Sequence, residues 1–411
     1  MTKILFMSGM LKKSFIIIYI SLLLSVIFAE AYIAKLIIPI FIWGGVLPMI
    51  YLYINDATSL AKDGKCILNI YIVTACLWIA RCYIIDDNSR FTGTPTLTIF
   101  GSLRFGVFMY LLPLMFLFSR IDMLRHIEST LKVLIAVSVL LIIISCREIM
   151  NGVSPSSLLW IYASIFIIPF LYYINNRKKY IVLLLTFLVI FYIVDERAVF
   201  INFALCLIGF MCIKIKIRRL YLKVAFYLGI LLSVAILVYS LYYGVSIFEV
   251  LSSLYSNETK LVNDTRSFIF YELADDLNKN NQWLFGKGML GTCYSPYFDN
   301  TIDDNADSAY RIGVEVGFLQ YLLKGGLFYL ILIMATSIIA IYRAFFKSNN
   351  SFCKTIGFMI LANFVLSCVS QGPALNPYNF YLWIMIGFCY SKTALDLSDM
   401  EIFRLINQKT K

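Results

Sequence analysis

The sequence is poor in charge. Asp, Glu, Lys and Arg make up 14% of its 411 residues, while 61% are hydrophobic. Soluble domains carry about 25% charged residues, so a soluble globular domain and a disordered chain are both excluded. Histidine is nearly lacking. His126 is the only one, in a basic loop, and a multi-histidine metal centre is therefore impossible. The cysteines stand singly at 66, 76, 82, 146, 206, 212, 293, 353, 368 and 389, with no C-x-x-C pair. Neither a disulfide framework nor a thiolate metal site is expected, and cysteines in apolar runs read as small hydrophobes. There is no Walker sequence, zinc signature, nucleophile elbow or D-x-D pair. Short alternating segments of the kind that build an outer-membrane barrel are also missing.

Long unbroken apolar runs are what the chain does have. They fall at about 14–29, 33–54, 66–85, 97–118, 131–146, 157–174, 180–194, 198–213, 221–243, 326–342, 355–370 and 377–391. A helical membrane span needs about 20 apolar residues. The first run, after Lys12-Lys13, has the look of a signal peptide. A second run follows almost at once, so it is read as a retained helix. The expected fold is all-α: a polytopic membrane protein with about 12 transmembrane helices and one large periplasmic loop containing short helices. Residues 1–243 form a nine-helix transmembrane region, 244–325 the loop, and 326–411 a three-helix region.

The net charge of +11 comes from 35 Lys and Arg against 24 Asp and Glu. With the N-terminus inside, every short inside loop is basic, as in Arg177-Lys178-Lys179 and Lys214 to Lys223. Both termini are thus expected in the cytoplasm. The positive charge reflects topology, and no nucleic-acid partner follows from it.

The 244–325 segment breaks the short-loop pattern and gathers many of the acids, from Glu249 to Glu315. Long loops in compact folds are usually functional. Asp264-Thr265 reads as a helix cap, followed by Phe268, Tyr271 or Glu272, Leu273 and Leu277 at helical spacing. Gly286-Lys287-Gly288 marks a turn. Residues 308–323 read as a second helical stretch. The apolar run from 312 to 342 is too long for one upright helix and is broken at Gly325-Gly326. Lys324 then sits at the outer interface.

Several basic residues in these segments suit an anion. Asp195-Glu196-Arg197 lies in a tight outside hairpin, where Arg197 either faces solvent in an interfacial turn or points into a cavity. Arg266 lies in the first turn of the loop helix, beside its Asp264 cap. Arg311 and Glu315, spaced i and i+4, read as an ion pair or as part of a site. Lys287 is either a plain turn residue or a phosphate contact. Arg104 lies inside an apolar run, where a charge faces a cavity or a partner. Arginine suits phosphate because its guanidinium is planar, bidentate and always charged.

The layout resembles the O-antigen polymerase family, within the O-antigen polymerase and ligase superfamily. The resemblance rests on about twelve spans with a large outside loop late in the chain. Locally it rests on Asp195-Glu196-Arg197-Ala198-Val199-Phe200, Asn263-Asp264-Thr265-Arg266, Trp283-Leu284-Phe285-Gly286-Lys287-Gly288, and Asp307 to Leu327. It implies a metal-independent glycosyltransferase without a cofactor at the periplasmic face of the bacterial inner membrane. Such an enzyme moves a growing glycan from one undecaprenyl pyrophosphate carrier onto a lipid-linked repeat unit. The partners implied are undecaprenyl pyrophosphate-linked oligosaccharide, the lipid bilayer and a chain-length regulator protein. Arg197, Arg266, Arg311, Lys287, Lys324 and Arg104 become candidate pyrophosphate or sugar contacts. Glu315 and Glu196 are both candidate general bases. The ligase branch is associated with a periplasmic histidine near the span after the large loop. This chain reads Asp307-Ser308-Ala309-Tyr310 there, which favours the polymerase. A lipid-linked oligosaccharide flippase is the competing reading, and the long outside loop argues against it.

Overall fold

The computed structural model describes residues 2–27, 32–55, 60–84, 95–126 without 104, 218–247, 267–299, 309–369 and 372–407, with isolated positions elsewhere. The apolar runs at 131–146, 157–174, 180–194 and 198–213 lie essentially outside the described residues. So do Arg104, Glu196, Arg197, Asp264 and Arg266.

The regular structure of the described chain is helical apart from one pair of two-residue strands and an isolated bridge between Leu60 and Ser391. In order it forms α1 (Thr2–Ile27), α2 (Tyr32–Asn55), α3 (Lys62–Ile84), α4 (Pro95–Gly101), α5 (Phe108–Leu114), α6 (Arg219–Tyr243) and α7 (Ser267–Lys279). Then come β1 (Cys293–Tyr294), β2 (Tyr310–Arg311), α8 (Gly317–Tyr342), α9 (Ser351–Leu366), α10 (Pro377–Tyr390), α11 (Lys392–Asp396) and α12 (Asp399–Asn407). Among the described residues four stretches are long and apolar enough to cross a membrane: Leu36–Asn55, Lys62–Ile84, Arg219–Tyr243 and Gly317–Lys347. The chain is accordingly a helical membrane protein. At 1.5 Å per residue the 25 residues of α6 reach about 37 Å, more than the roughly 30 Å of a hydrocarbon core.

Helix α10 is the centre of the bundle. Every residue from Pro377 to Tyr390 is buried, the mark of a helix apolar on all sides. Asn376 caps it by accepting from Asn379 N at 2.8 Å, and Pro377 occupies the first turn, where its missing N–H costs nothing. Phe116 and Tyr71 pack edge-on or tilted against Trp383. Helix α6 instead exposes much of its surface, including Leu228, Leu231 and Val238, as a helix facing lipid would. It ends at Gly244, whose left-handed φ of +66° closes the helix.

The bundle has two distinct ends. At one, Arg343 bonds Asp63 at 2.9 Å and Cys389 O at 2.8 Å, and Ala61 N donates to Tyr390 O. Buried Asn350 ties α9 to its surroundings there by donating to Ala394 O and Leu397 O. At the other end, α7, the strand pair and the residues between them form a folded cap over α3, α6 and α8. Ser246 N bonds Ser267 Oγ at 2.7 Å, which joins the end of α6 to the start of α7.

Two expectations need correction. Residues 97–118 are not one helix. The chain leaves α4 at Gly101, turns through Gly106 at φ +85°, restarts at Phe108 and tightens to a 3-10 turn over Met115–Phe118. Gly101-Ser102, Arg104 and Gly106 interrupt the apolar run at this point, a signal that reading it as one span passed over. Residues 308–323 are not one helical stretch either: β2 occupies 310–311, and α8 starts only at Gly317. The chain does break at the glycine pair. Gly326 has φ +65° and ψ −166°, dividing α8 into two segments. Of the two alternatives for the α7 face, Glu272 is the one buried: the inward face carries Ile269, Phe270, Glu272, Leu273, Asp276 and Leu277, while Tyr271 is exposed.

Candidate functional site

The cap is built around two helix breaks. A helix interrupted within a membrane protein frees backbone N–H and C=O groups that must find partners. At the α8 break the turn 283–288 supplies them. Lys287 N donates to Leu323 O at 2.8 Å and Gly288 N to Lys324 O at 3.0 Å. Leu327 N donates to Trp283 O at 2.8 Å and Phe328 N to Leu284 O at 3.2 Å. This closeness requires glycine on both sides. A Cβ on Gly286 would lie 2.5 Å from Gly326 N and 2.7 Å from Leu323 O. At the other break, a Cβ on Gly106 would lie 2.9 Å from Met289 O, so the next residues of the same turn seat there.

Lys324 is fully buried beside the break. Its Nζ donates to Gly291 O at 2.7 Å, and its own carbonyl also accepts from Trp78 Nε1 at 3.1 Å. Lys287 turns the other way and pairs with Asp276 Oδ2 at 2.5 Å, both side chains only about one-eighth exposed. Asn280 Nδ2 donates to the second Asp276 oxygen at 2.9 Å. One helical turn earlier, buried Glu272 accepts from Ser295 Oγ at 2.6 Å and Tyr297 N at 3.0 Å, pinning the chain after β1. Cys293 lies against this group. Burial, then the neighbouring Asp276 carboxylate, pushes its thiol up to about 12; Lys287 opposes the shift.

The strand pair brings in Arg311. Cys293 pairs directly with Arg311, and directly opposed residues of an antiparallel pair share a face. Arg311 is thus presented on the Cys293 side of the strands, the side that meets α7. The Tyr294 and Tyr310 rings pack at a tilt, with centroids 5.2 Å apart. Arg311 Nη2 lies 3.2 Å from Glu315 Oε1, and the Glu315 side chain is 58% exposed. The pair is i, i+4 in sequence but spans a strand and an extended segment, not one helix face. Gln320 accepts from Val314 N at 2.6 Å and holds that segment to α8.

Of the candidate residues that are described, Lys287 and Lys324 have roles inside the cap scaffold, and Arg311 with Glu315 lies at its rim. Sequence reasoning missed Glu272 and Asp276. Their i, i+4 spacing on the inward face of α7 was visible, but two acids on the buried side of an amphipathic helix contradict the usual pattern. Among the described residues no group of three or more His, Cys, Asp or Glu side chains could hold a metal ion. Compared with protein-family models, curated proteins and solved structures, the chain matches none.

Proposed function

We propose that the chain is an O-antigen polymerase, a membrane glycosyltransferase joining lipid-linked repeat units on the periplasmic side of the bacterial inner membrane. The observation that carries this reading is the folded cap seated on two broken helices at one end of the bundle. It gives a rigid shelf at the level where a lipid-linked sugar pyrophosphate presents its head group. A flippase moving the same lipid has no need of such a shelf.

Charge distribution supports the orientation. Among the described residues, Lys62, Lys65, Arg218, Arg219, Lys223, Arg343, Lys347, Lys354, Lys392 and Arg404 gather at the end away from the cap. A basic end of this kind favours the cytoplasm, which supports reading the cap as periplasmic. The twelve-span layout, with the four runs in 131–213 as further helices, is part of the same proposal.

The chemistry follows from the rim. An acceptor hydroxyl attacks the anomeric carbon of the donor glycan, the bond to the pyrophosphate oxygen breaks, and pyrophosphate leaves with the electron pair. Fixed positive charge lowers this barrier where the leaving group's charge develops. Arg311, together with Arg197 and Arg266, is assigned that role. The hydroxyl proton passes to a carboxylate, for which Glu315 and Glu196 are the candidates. Purified protein in liposomes, given lipid-linked single repeat units, should produce a ladder of longer lipid-linked glycans. Glycans of unchanged length, or glycans moved across the bilayer without elongation, would reject the proposal.

A further inference from the structure

The turn Trp283–Gly288 joins two properties rarely found together in a polar loop. Its side chains Leu284 and Phe285 are 56% and 51% exposed. Its backbone is nevertheless extensively hydrogen-bonded, through the four bonds to the α8 break, Gly286 N to Gln282 O at 2.9 Å and Arg81 Nη1 to Phe285 O at 2.6 Å. In water, peptide groups need no such partners, and an exposed Leu-Phe pair is unfavourable. In hydrocarbon the requirements reverse: apolar side chains are welcome and every backbone group must be satisfied.

The surroundings match. Phe328 stacks on Trp78 at 5.6 Å, and Phe285 packs against the same indole at 6.2 Å. Leu327, Phe328 and Ile331 of α8, with Tyr83 and Ile84 of α3, are exposed apolar residues on the stretches read as membrane spans. Leu284 and Phe285 thus continue a lipid-facing surface. The exposed residues where α7 ends are polar: Lys279, and Asn278, which accepts from Trp283 Nε1 at 2.7 Å.

We infer that Trp283–Gly288 is a re-entrant element of the membrane domain. Leu284 and Phe285 enter the bilayer leaflet on the cap side and contact its acyl chains. Arg81, held beside the turn, lies at the level of the lipid phosphates. The partner is the phospholipid leaflet itself. The inference rests on the chain crossing a membrane and not on the polymerase reading. It lowers the cap from above the membrane into its surface, with Lys287 and Asp276 directly behind the inserted turn.

Photo-crosslinking tests this on the full chain. A benzophenone amino acid is placed at Leu284, Phe285, Ile331 or Lys279, and each protein is irradiated in liposomes of phosphatidylethanolamine and phosphatidylglycerol. Intact mass should reveal lipid adducts at positions 284, 285 and 331 and none at 279. Adducts at 331 without any at 284 or 285 would overturn the inference. If the bulky label prevents folding, simple substitutions decide the matter. Phe285→Asp should lower the yield of folded protein from membranes several-fold relative to Phe285→Leu, while Lys279→Asp leaves it unchanged. Equal yields for Phe285→Asp and Phe285→Leu would equally overturn it.

Discussion

Replacing Gly326 by alanine should destabilise the protein severely. Its φ of +65° and ψ of −166° belong to a region that only glycine occupies readily. Forcing a side chain into it costs about 1–3 kcal/mol. A Cβ there would also lie 2.5 Å from Gly286 N and closer still to Leu284 O, both rigid backbone atoms. The turn must move away, which breaks the four hydrogen bonds that join it to the α8 break. At about 0.5–1.5 kcal/mol each, their loss adds about 2–6 kcal/mol. The combined penalty of about 3–9 kcal/mol compares with a typical total stability of about 5–15 kcal/mol. Thermal unfolding in detergent, followed by the reactivity of the buried thiols Cys82, Cys293, Cys353, Cys368 and Cys389, reads this out. Gly326→Ala and Gly286→Ala should both unfold far below wild type. Gly44→Ala is the control, because nothing lies within 4 Å of its added methyl. If all three unfold together at the wild-type temperature, the backbone-to-backbone seating of the turn in the α8 break is wrong.

Lys287→Ala leaves Asp276 charged and nearly buried without its partner, a change worth about 3–5 kcal/mol for a buried pair. The double variant with Asp276→Ala should recover part of the loss by the same unfolding assay. Lys324→Met removes the donor to Gly291 O and should cost about 1–3 kcal/mol; stability equal to wild type would show that the contact is dispensable. The Cys293 thiol, pushed up to about 12, should resist alkylation at pH 8 in folded protein and react on unfolding, as mapped by mass spectrometry. The same shift stabilises the fold fully below the ordinary thiol range near 9, and that contribution is lost as the pH rises towards 12. A Cys293→Ser variant should therefore lose less stability than wild type over that interval. Arg311→Ala should abolish polymer formation at unchanged protein level, and Arg311→Lys should reduce it, because lysine lacks the planar fork.

Periodicity and composition made part of this structure readable. The apolar runs located α2, α3 and α6, because the long spans need nothing but hydrophobicity. The Gly325-Gly326 break was legible because an apolar stretch from 312 to 342 is too long to stand upright unbroken. The break before Phe108 was passed over although Gly101-Ser102, Arg104 and Gly106 interrupt the run there; that Gly106 takes φ +85° against Met289 is a tertiary fact. The two-residue strands at 293–294 and 310–311 are too short for any alternation to register. The sequence marked Gly286-Lys287-Gly288 as a turn, but nothing local says that this turn fills the gap beside Gly326. That pairing is a tertiary fact. For the site, Arg311 and Glu315 were legible as an i, i+4 pair, and the strand that carries the arginine was not.

The central claim is that this chain elongates a lipid-linked glycan, and the length of the surface polysaccharide tests it most directly. Deleting the gene and resolving the lipopolysaccharide on a gel should leave a single repeat unit on the core, with the full ladder restored by the wild-type gene. A core bare of any repeat unit would instead assign the chain to ligation or flipping, and an unchanged ladder would contradict the account altogether.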